Sequence, residues 1–169
     1  MESKAKILGH ALHPMLIVFP LGLLVTSFLF DVIYLVTGSE AIARTAFHMI
    51  GAGIIAGAIA SLPGWIDWFA IPRGTRAKRV GIVHGLANTI LLVLFAISWW
   101  LRRETPQVPG SDAIVFSLLA ILVGSFSAWL GGELVERLGV GVDHNANLNA
   151  PSSLSHSQIP DDPSTPPPA

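Results

Sequence analysis

Residues 14–36 read PMLIVFPLGLLVTSFLFDVIYLV, a stretch of 23 residues that contains one charged side chain, Asp31. A helix rises about 1.5 Å per residue, so about 20 apolar residues cross the roughly 30 Å hydrocarbon core of a bilayer. Backbone polar groups find no water in lipid, and a spanning segment of this kind must therefore be helical. The stretch predicts a transmembrane helix.

Three further stretches share this apolar character, at residues 41–62, 80–101 and 113–132. Charged residues make up 12% of the chain, about half of the roughly 25% found in soluble domains, as expected when most of the surface faces lipid. The sequence therefore predicts an all-α polytopic membrane protein, with four transmembrane helices in an up-down bundle over residues 1–143. Residues 144–169 are rich in Pro, Ser and Asn and predict a disordered tail.

The distribution of basic residues predicts the orientation of the chain. Four spans place both termini and the loop at 67–79 on one side of the membrane, together with seven basic residues, against three on the other side. The positive-inside rule then predicts that both termini are cytoplasmic. The seven are Lys4, Lys6, Arg73, Arg76, Lys78, Arg79 and Arg137, and the three are Arg44, Arg102 and Arg103.

Several classes of function are excluded by composition. The chain has no cysteine, which excludes disulfides, thiolate metal sites, iron–sulfur clusters and covalently attached haem. Basic clusters are short and close to the spans, so no nucleic-acid footprint is predicted. Neither a G-x-S-x-G elbow nor an H-E-x-x-H metal helix occurs. The sequence leaves enzymatic activity open, predicts no catalytic residue, and favours a protein that is not an enzyme on its own.

Small residues and prolines predict how the helices pack. Pro20 lies inside the first span, lacks an N–H and crowds the carbonyl of Leu16, so a kink is expected there. Pro63 and Gly64 are expected to end the second span. Small residues at four-residue spacing predict close contact between helices in the last three spans. They are Gly53, Gly57 and Ser61, then Gly81 and Gly85, then Gly124, Ala128 and Gly132.

Ionisable residues gather at one predicted membrane face. His13 and His84 begin the first and third spans at similar depth, which is the arrangement that haem b needs from two axial ligands. Glu133 and Asp67 end the other two spans there, and His10 lies just outside. Imidazoles and carboxylates together also suit a divalent metal, so these five residues are candidate metal ligands. The alternative is that the histidines cap helix ends and bond headgroups or backbone carbonyls.

His48 lies at a different depth, about two turns from the opposite surface at about 1.5 Å per residue. Asp31 and Arg44 are its expected partners at that level, in a pair that neutralises buried charge. His48 is therefore a less favoured candidate for haem ligation than His13 or His84.

A family resemblance is carried by motifs that open or close the predicted spans. In chain order they are HPMLIVFP at 13–20, LPG at 62–64 with Asp67, His84, GGELV at 131–135 and GVGV at 139–142. Together they resemble an uncharacterised bacterial membrane family, domain of unknown function 2231, over about residues 10–143. The closing glycine-rich motif is the most specific of them.

The resemblance implies a four-helix membrane core and brings no settled activity with it. Members of that family are sometimes fused to Rieske-type or cytochrome c-type domains, which implies a respiratory or redox setting. Many relatives carry a second histidine just before the Phe-Pro pair, where this chain has Val18. That departure argues against a metal site built from two histidines of the first helix.

Our leading hypothesis is a b-type-cytochrome-like electron-transfer subunit of the bacterial inner membrane, with haem b held by His13 and His84. The alternative is a non-enzymatic membrane scaffold, or a subunit that binds a metal or a small ligand. Transport is a third and weaker option, because four helices are few unless the protein dimerises. The expected partners are the lipid bilayer and either redox subunits or further copies of this chain.

Overall fold

The computed structural model describes residues 1–155 of the 169-residue chain. A small antiparallel hairpin precedes the helices, and a short π-helix follows the last of them. The elements are β1 Lys6–Ile7, β2 His10–Ala11, α1 Leu12–Leu16, α2 Val18–Thr37, α3 Glu40–Ala70, α4 Arg76–Leu101, α5 Ser111–Gly132 and the π-helix Glu133–Arg137. Part of the predicted disordered tail, residues 156–169, lies outside the described residues, and the part at 144–155 forms turns without a helix.

The helices confirm the prediction of a four-helix membrane protein. Four helical stretches are long and apolar enough to cross a bilayer, at Leu12–Thr37, Glu40–Ala70, Arg76–Leu101 and Ser111–Arg137. Most of their large apolar side chains lie on the outside of the bundle, where they face lipid. The protein is therefore an integral membrane protein in contact with the bilayer along all four helices.

The four helices pack around the bundle in chain order, because α2 contacts α3, α3 contacts α4, α4 contacts α5, and α5 returns to α2. We use the name terminal end for the end that holds residues 1–11, the loop at 71–75 and the segment after the π-helix. The loops at 38–39 and 102–110 form the opposite end. This arrangement places α1 and the first turns of α4 at the same end of the bundle.

The interior is packed closely at the middle of the bundle. An apolar core cluster, with one residue from each helix, consists of Leu24, Ile50, Phe95 and Ala120. Glycine allows the backbones to approach there, because a Cβ on Gly53 would lie 2.6 Å from Leu24 Cδ2. The predicted contact of the small-residue stripes is thus confirmed at Gly53.

The other stripes contact their neighbours to different degrees. A Cβ on Gly57 would lie 2.7 Å from Leu92, and one on Gly124 would lie 2.6 Å from Leu91. Gly85 is in ordinary contact only, since its added Cβ would lie 3.4 Å from Trp65. Among the described residues 1–155, Gly132 has no such neighbour within 4 Å, so the predicted stripe is wrong at that position.

The two prolines have different effects on their helices. Helix α1 ends at Leu16 and α2 begins at Val18, so the break lies where the crowding by Pro20 predicts it. Helix α3, in contrast, continues through the buried Pro63 to Ala70, although the second span was expected to end there. A proline is tolerated inside a membrane helix when neighbouring groups satisfy the freed backbone carbonyls.

We predict that Gly53→Leu destabilises the bundle by about 1–3 kcal/mol, because the new side chain overlaps Leu24 and forces α2 and α3 apart. Gly22→Leu is the matched control, since Gly22 is a helical glycine and an added Cβ would have no neighbour within 4 Å in the described part of the chain. Thermal unfolding in detergent measures both. Equal melting of the two variants would contradict the close approach of α2 and α3.

Candidate intramembrane histidine site

His13 lies in α1 and bonds across the bundle to α3. Its Nδ1 is 2.8 Å from the carbonyl oxygen of Ala60, one residue after Ile59, whose carbonyl has no helical donor because Pro63 lacks an N–H. Gly64 gives the ring its space, since a Cβ there would lie 3.0 Å from Nδ1. The Leu-Pro-Gly motif of α3 and the His-Pro motif of α1 therefore form one contact.

His84 makes a comparable contact between α4 and α5, again through Nδ1 and a backbone carbonyl. Its Nδ1 is 2.9 Å from the carbonyl oxygen of Ser127, and its Nε2 is 3.0 Å from the amide nitrogen of Asn88, one turn further along α4. A Cβ on Gly131 would lie 3.3 Å from the ring. Ser127 also donates its hydroxyl to Asn88 Oδ1, at 2.9 Å, which fixes the amide orientation.

The hydrogen bonds define the same tautomer for both rings. A carbonyl oxygen only accepts, so Nδ1 carries a proton in His13 and in His84, and the neutral form of each ring keeps its lone pair on Nε2. The amide of Asn88 donates to the lone pair of His84. No residue among 1–155 bonds Nε2 of His13. Histidines that bind metals characteristically donate the other ring N–H to a carbonyl or carboxylate, which orients the ring.

The two imidazoles are neighbours inside the bundle. Their ring centroids are 6.3 Å apart and the ring planes are perpendicular. Metal–nitrogen bonds of about 2.0 Å place the centroids of two imidazoles on opposite sides of one ion roughly 6 Å apart. The centroid separation is therefore compatible with two ligands on opposite sides of one ion.

The other three predicted metal ligands, Asp67, Glu133 and His10, contact other groups of the protein. The carboxylate of Asp67 accepts hydrogen bonds from the N-terminal segment, at 2.7 Å from Ser3 Oγ and 2.6 Å from the Lys4 amide nitrogen. Glu133 forms an ion pair with Arg76. The ring of His10 lies 3.3 Å from the Ser153 hydroxyl. Within residues 1–155, no three His, Asp or Glu side chains form a group that could hold a metal ion.

His48 is exposed on the surface of α3, where its ring contacts Phe47 at 5.4 Å between centroids. The expected pairing of His48 or Arg44 with Asp31 is wrong, because Arg102 takes that carboxylate. Rotation about the helix axis explains the difference, since Arg44 is also exposed while Asp31 is completely buried. Depth in the membrane alone did not identify the partner.

Asp31 and Arg102 form a buried ion pair near the opposite end of the bundle. Both side chains are 0% exposed, and the guanidinium binds the carboxylate through two hydrogen bonds of 2.7 and 3.1 Å. Ser98 accepts a further bond from Arg102 at 2.8 Å, and Ser117 accepts one at 3.3 Å. Arg102 Nε is buried without a hydrogen-bond partner among residues 1–155. The pair joins α2, α4 and α5.

Sequence reasoning missed the polar residues that complete both sites. Their common signal is a spacing of one helical turn, since Asn88 follows His84 by four residues and Ser98 precedes Arg102 by four. Ser117 and Ser127 lie on α5, and each is buried against one of these groups. Between the two polar sites lies the apolar core cluster defined above.

The fold and the paired histidines define a class of protein: a four-helix membrane protein with a polar centre near one end of the bundle. The chain belongs to the family described as predicted membrane protein (DUF2231), whose profile matches residues 9–144. The resemblance noted from the motifs is thereby confirmed. No curated protein and no solved structure matches the chain.

We predict that Arg102→Met lowers the free energy of unfolding by about 3–5 kcal/mol, because it leaves the Asp31 carboxylate buried without a partner. The double variant Asp31→Leu with Arg102→Met should recover much of that loss, since the two charges are removed together. Arg103→Met is the control, because Arg103 is exposed. Thermal unfolding in detergent measures all three. A loss for Arg103→Met as large as that for Arg102→Met would contradict this account.

Proposed function

We propose that this chain is a membrane subunit that binds a metal-containing cofactor between His13 and His84, with the iron of haem b as the first candidate. The observation that supports the proposal is the pairing of the two imidazoles at 6.3 Å, each with Nδ1 bonded to a backbone carbonyl. Neutral imidazoles that are oriented in this way present Nε2 as the ligating atom, and in His84 the Asn88 amide, 3.0 Å from Nε2, would have to turn away for ligation.

The donor set fits an iron porphyrin better than an isolated divalent ion. A haem would bring its own porphyrin nitrogens, so this chain would have to provide only the two imidazoles of His13 and His84. An isolated ion needs additional protein ligands, and the nearby candidates Asp67 and Glu133 are bonded elsewhere. A haem held by His13 and His84 would supply one-electron transfer, and the protein would contribute its position and orientation.

The principal alternative is a purely structural role, in which the chain is a membrane scaffold. The bond from His13 to Ala60 favours it, because that bond provides a donor to the part of α3 that Pro63 disturbs. In this alternative the histidines still matter for folding, but no cofactor is bound. The two functions differ in whether purified protein carries a chromophore or a metal.

The test is the optical spectrum and the metal content of protein that is purified in mild detergent from haem-replete and metal-replete cells. We expect a Soret band that shifts on reduction. His84→Ala should abolish it, and His13→Ala should abolish or reduce it, because each change removes one axial ligand. His48→Ala is the matched control, since His48 is exposed on α3 and should leave the spectrum unchanged.

Two outcomes would overturn the cofactor proposal. One is wild-type protein without a Soret band and without bound metal, which would leave the scaffold alternative. The other is loss of the cofactor in His48→Ala with retention in His84→Ala, which would place the site near the opposite end. Circular dichroism of each variant separates loss of ligation from loss of folding.

We also propose that the protein lies in a bacterial inner membrane with its terminal end in the cytoplasm. The seven basic residues of that end, against three at the opposite end, support this orientation. Reporter fusions within 71–75 and after residue 140 should read cytoplasmic, and a fusion within 103–110 should read periplasmic. A periplasmic signal after residue 140 would contradict the orientation.

A further inference from the structure

A cavity of about 290 Å³ opens at the terminal end, where α3 ends and α4 begins. Its walls are mainly apolar and include Ile71, Ala77, Leu138 and Val140. Arg76 adds a cationic group. The cavity therefore combines an apolar lining with positive charge at the level where a membrane helix leaves the bilayer.

The glycine-rich motif after α5 builds one wall of this cavity. The chain turns through the π-helix Glu133–Arg137. The Val140 amide then donates a hydrogen bond of 2.9 Å to the carbonyl oxygen of Leu134. Gly139 has a φ of 62°, a backbone conformation that favours glycine. This turn places Leu138 and Val140 on the cavity. The closing glycine-rich motif thus lines the cavity and also leaves space for the ring of His84.

Positive charge predominates in the loop and the first turn of α4 beside the cavity. Residues 71–80 contain four basic side chains and no acidic one. Arg76 forms an ion pair with Glu133 and lines the cavity. Arg73 and Arg79 are exposed, and neither side chain has a hydrogen bond or ion pair among residues 1–155. This uncompensated charge is complementary to an anion.

We propose that the cavity binds an anionic phospholipid of the surrounding bilayer. Its phosphate would lie against Arg76 and the neighbouring Arg73, and the glycerol and the first part of an acyl chain would lie along the wall formed by Ile71, Leu138 and Val140. Basic pockets beside transmembrane helices recognise lipid headgroups in this way. The lipid proposal is independent of the cofactor at His13 and His84, since it rests on different residues.

The test uses purified full-length protein in micelles of a neutral detergent, with dioleoyl phosphatidylglycerol as the probe. We expect the unfolding midpoint to rise with the mole fraction of this lipid, because binding to the folded state stabilises it. Dioleoyl phosphatidylcholine should give a much smaller rise, because its headgroup has no net charge. Inorganic phosphate should also give little, because it lacks the apolar part that the wall contacts.

Three variants locate the binding. Arg73→Gln leaves the ion pair of Arg76 intact and should weaken phosphatidylglycerol binding about fivefold, the equivalent of one basic contact. Ala77→Phe should remove most of the binding, because the new ring fills the cavity. Arg44→Gln is the control, since Arg44 is an exposed arginine of α3 near the opposite end and should bind lipid as the wild type does.

The binding constants are taken from the shift in midpoint relative to each variant without lipid, so a change in basal stability does not affect the comparison. Equal shifts with phosphatidylglycerol and phosphatidylcholine would overturn the proposal, and so would wild-type binding by both Arg73→Gln and Ala77→Phe. A shift with inorganic phosphate as large as with the lipid would show a simple anion site and would also overturn it.

Discussion

The interior of a bilayer contains no water, so the polar groups of this protein within it are stabilised by partners in the protein itself, with Arg102 Nε an exception among residues 1–155. This constraint explains the most unusual contacts in the bundle. Pro63 disturbs the backbone bonding of α3, and the ring of His13 supplies a donor to Ala60 beside it. Asp31 carries a full charge into the bundle, and Arg102 neutralises it with two hydrogen bonds.

The same constraint gives the histidines their chemical character. Because Nδ1 of His13 and of His84 is held by a backbone carbonyl, the tautomer is fixed and the lone pair lies on Nε2. A structural requirement of the membrane therefore orients two potential ligands. Gly64 and Gly131 make this possible, since each leaves space beside one of the rings. A structural role and a cofactor-binding role therefore use the same hydrogen bonds from Nδ1 to backbone carbonyls. The two roles differ in what Nε2 binds.

Much of this architecture could be predicted from the sequence, because hydropathy and helix length are local properties. The four spans and the shared depth of His13 and His84 follow from position along the chain, and the structure brings these two histidines together. The partner of Asp31 could not be obtained in this way. Depth predicted Arg44 or His48 as the partner and did not identify Arg102, because only the rotation of each helix about its axis decides which side chain faces inward.

Other features depend on contacts between distant parts of the chain. Pro63 does not end α3, although it removes the helical donor of the Ile59 carbonyl, and a rule that reads proline locally therefore ends the span too early. The sequence predicted Asp67 as a metal ligand, whereas in the structure its carboxylate accepts hydrogen bonds from the N-terminal segment. The sequence showed which side chains can act as ligands or as hydrogen-bond partners. Tertiary packing determined which of them already bond to other groups of the protein.

The central claim is that both intramembrane histidines are neutral, with the proton on Nδ1 and the lone pair on Nε2. Nitrogen NMR of protein labelled with ¹⁵N-histidine measures this directly, and His13→Ala and His84→Ala assign the signals. The account predicts that, in protein without cofactor, both residues show a protonated Nδ1 and an unprotonated Nε2. Signals of an Nε2–H tautomer or of a doubly protonated ring at neutral pH, for either residue, would contradict it.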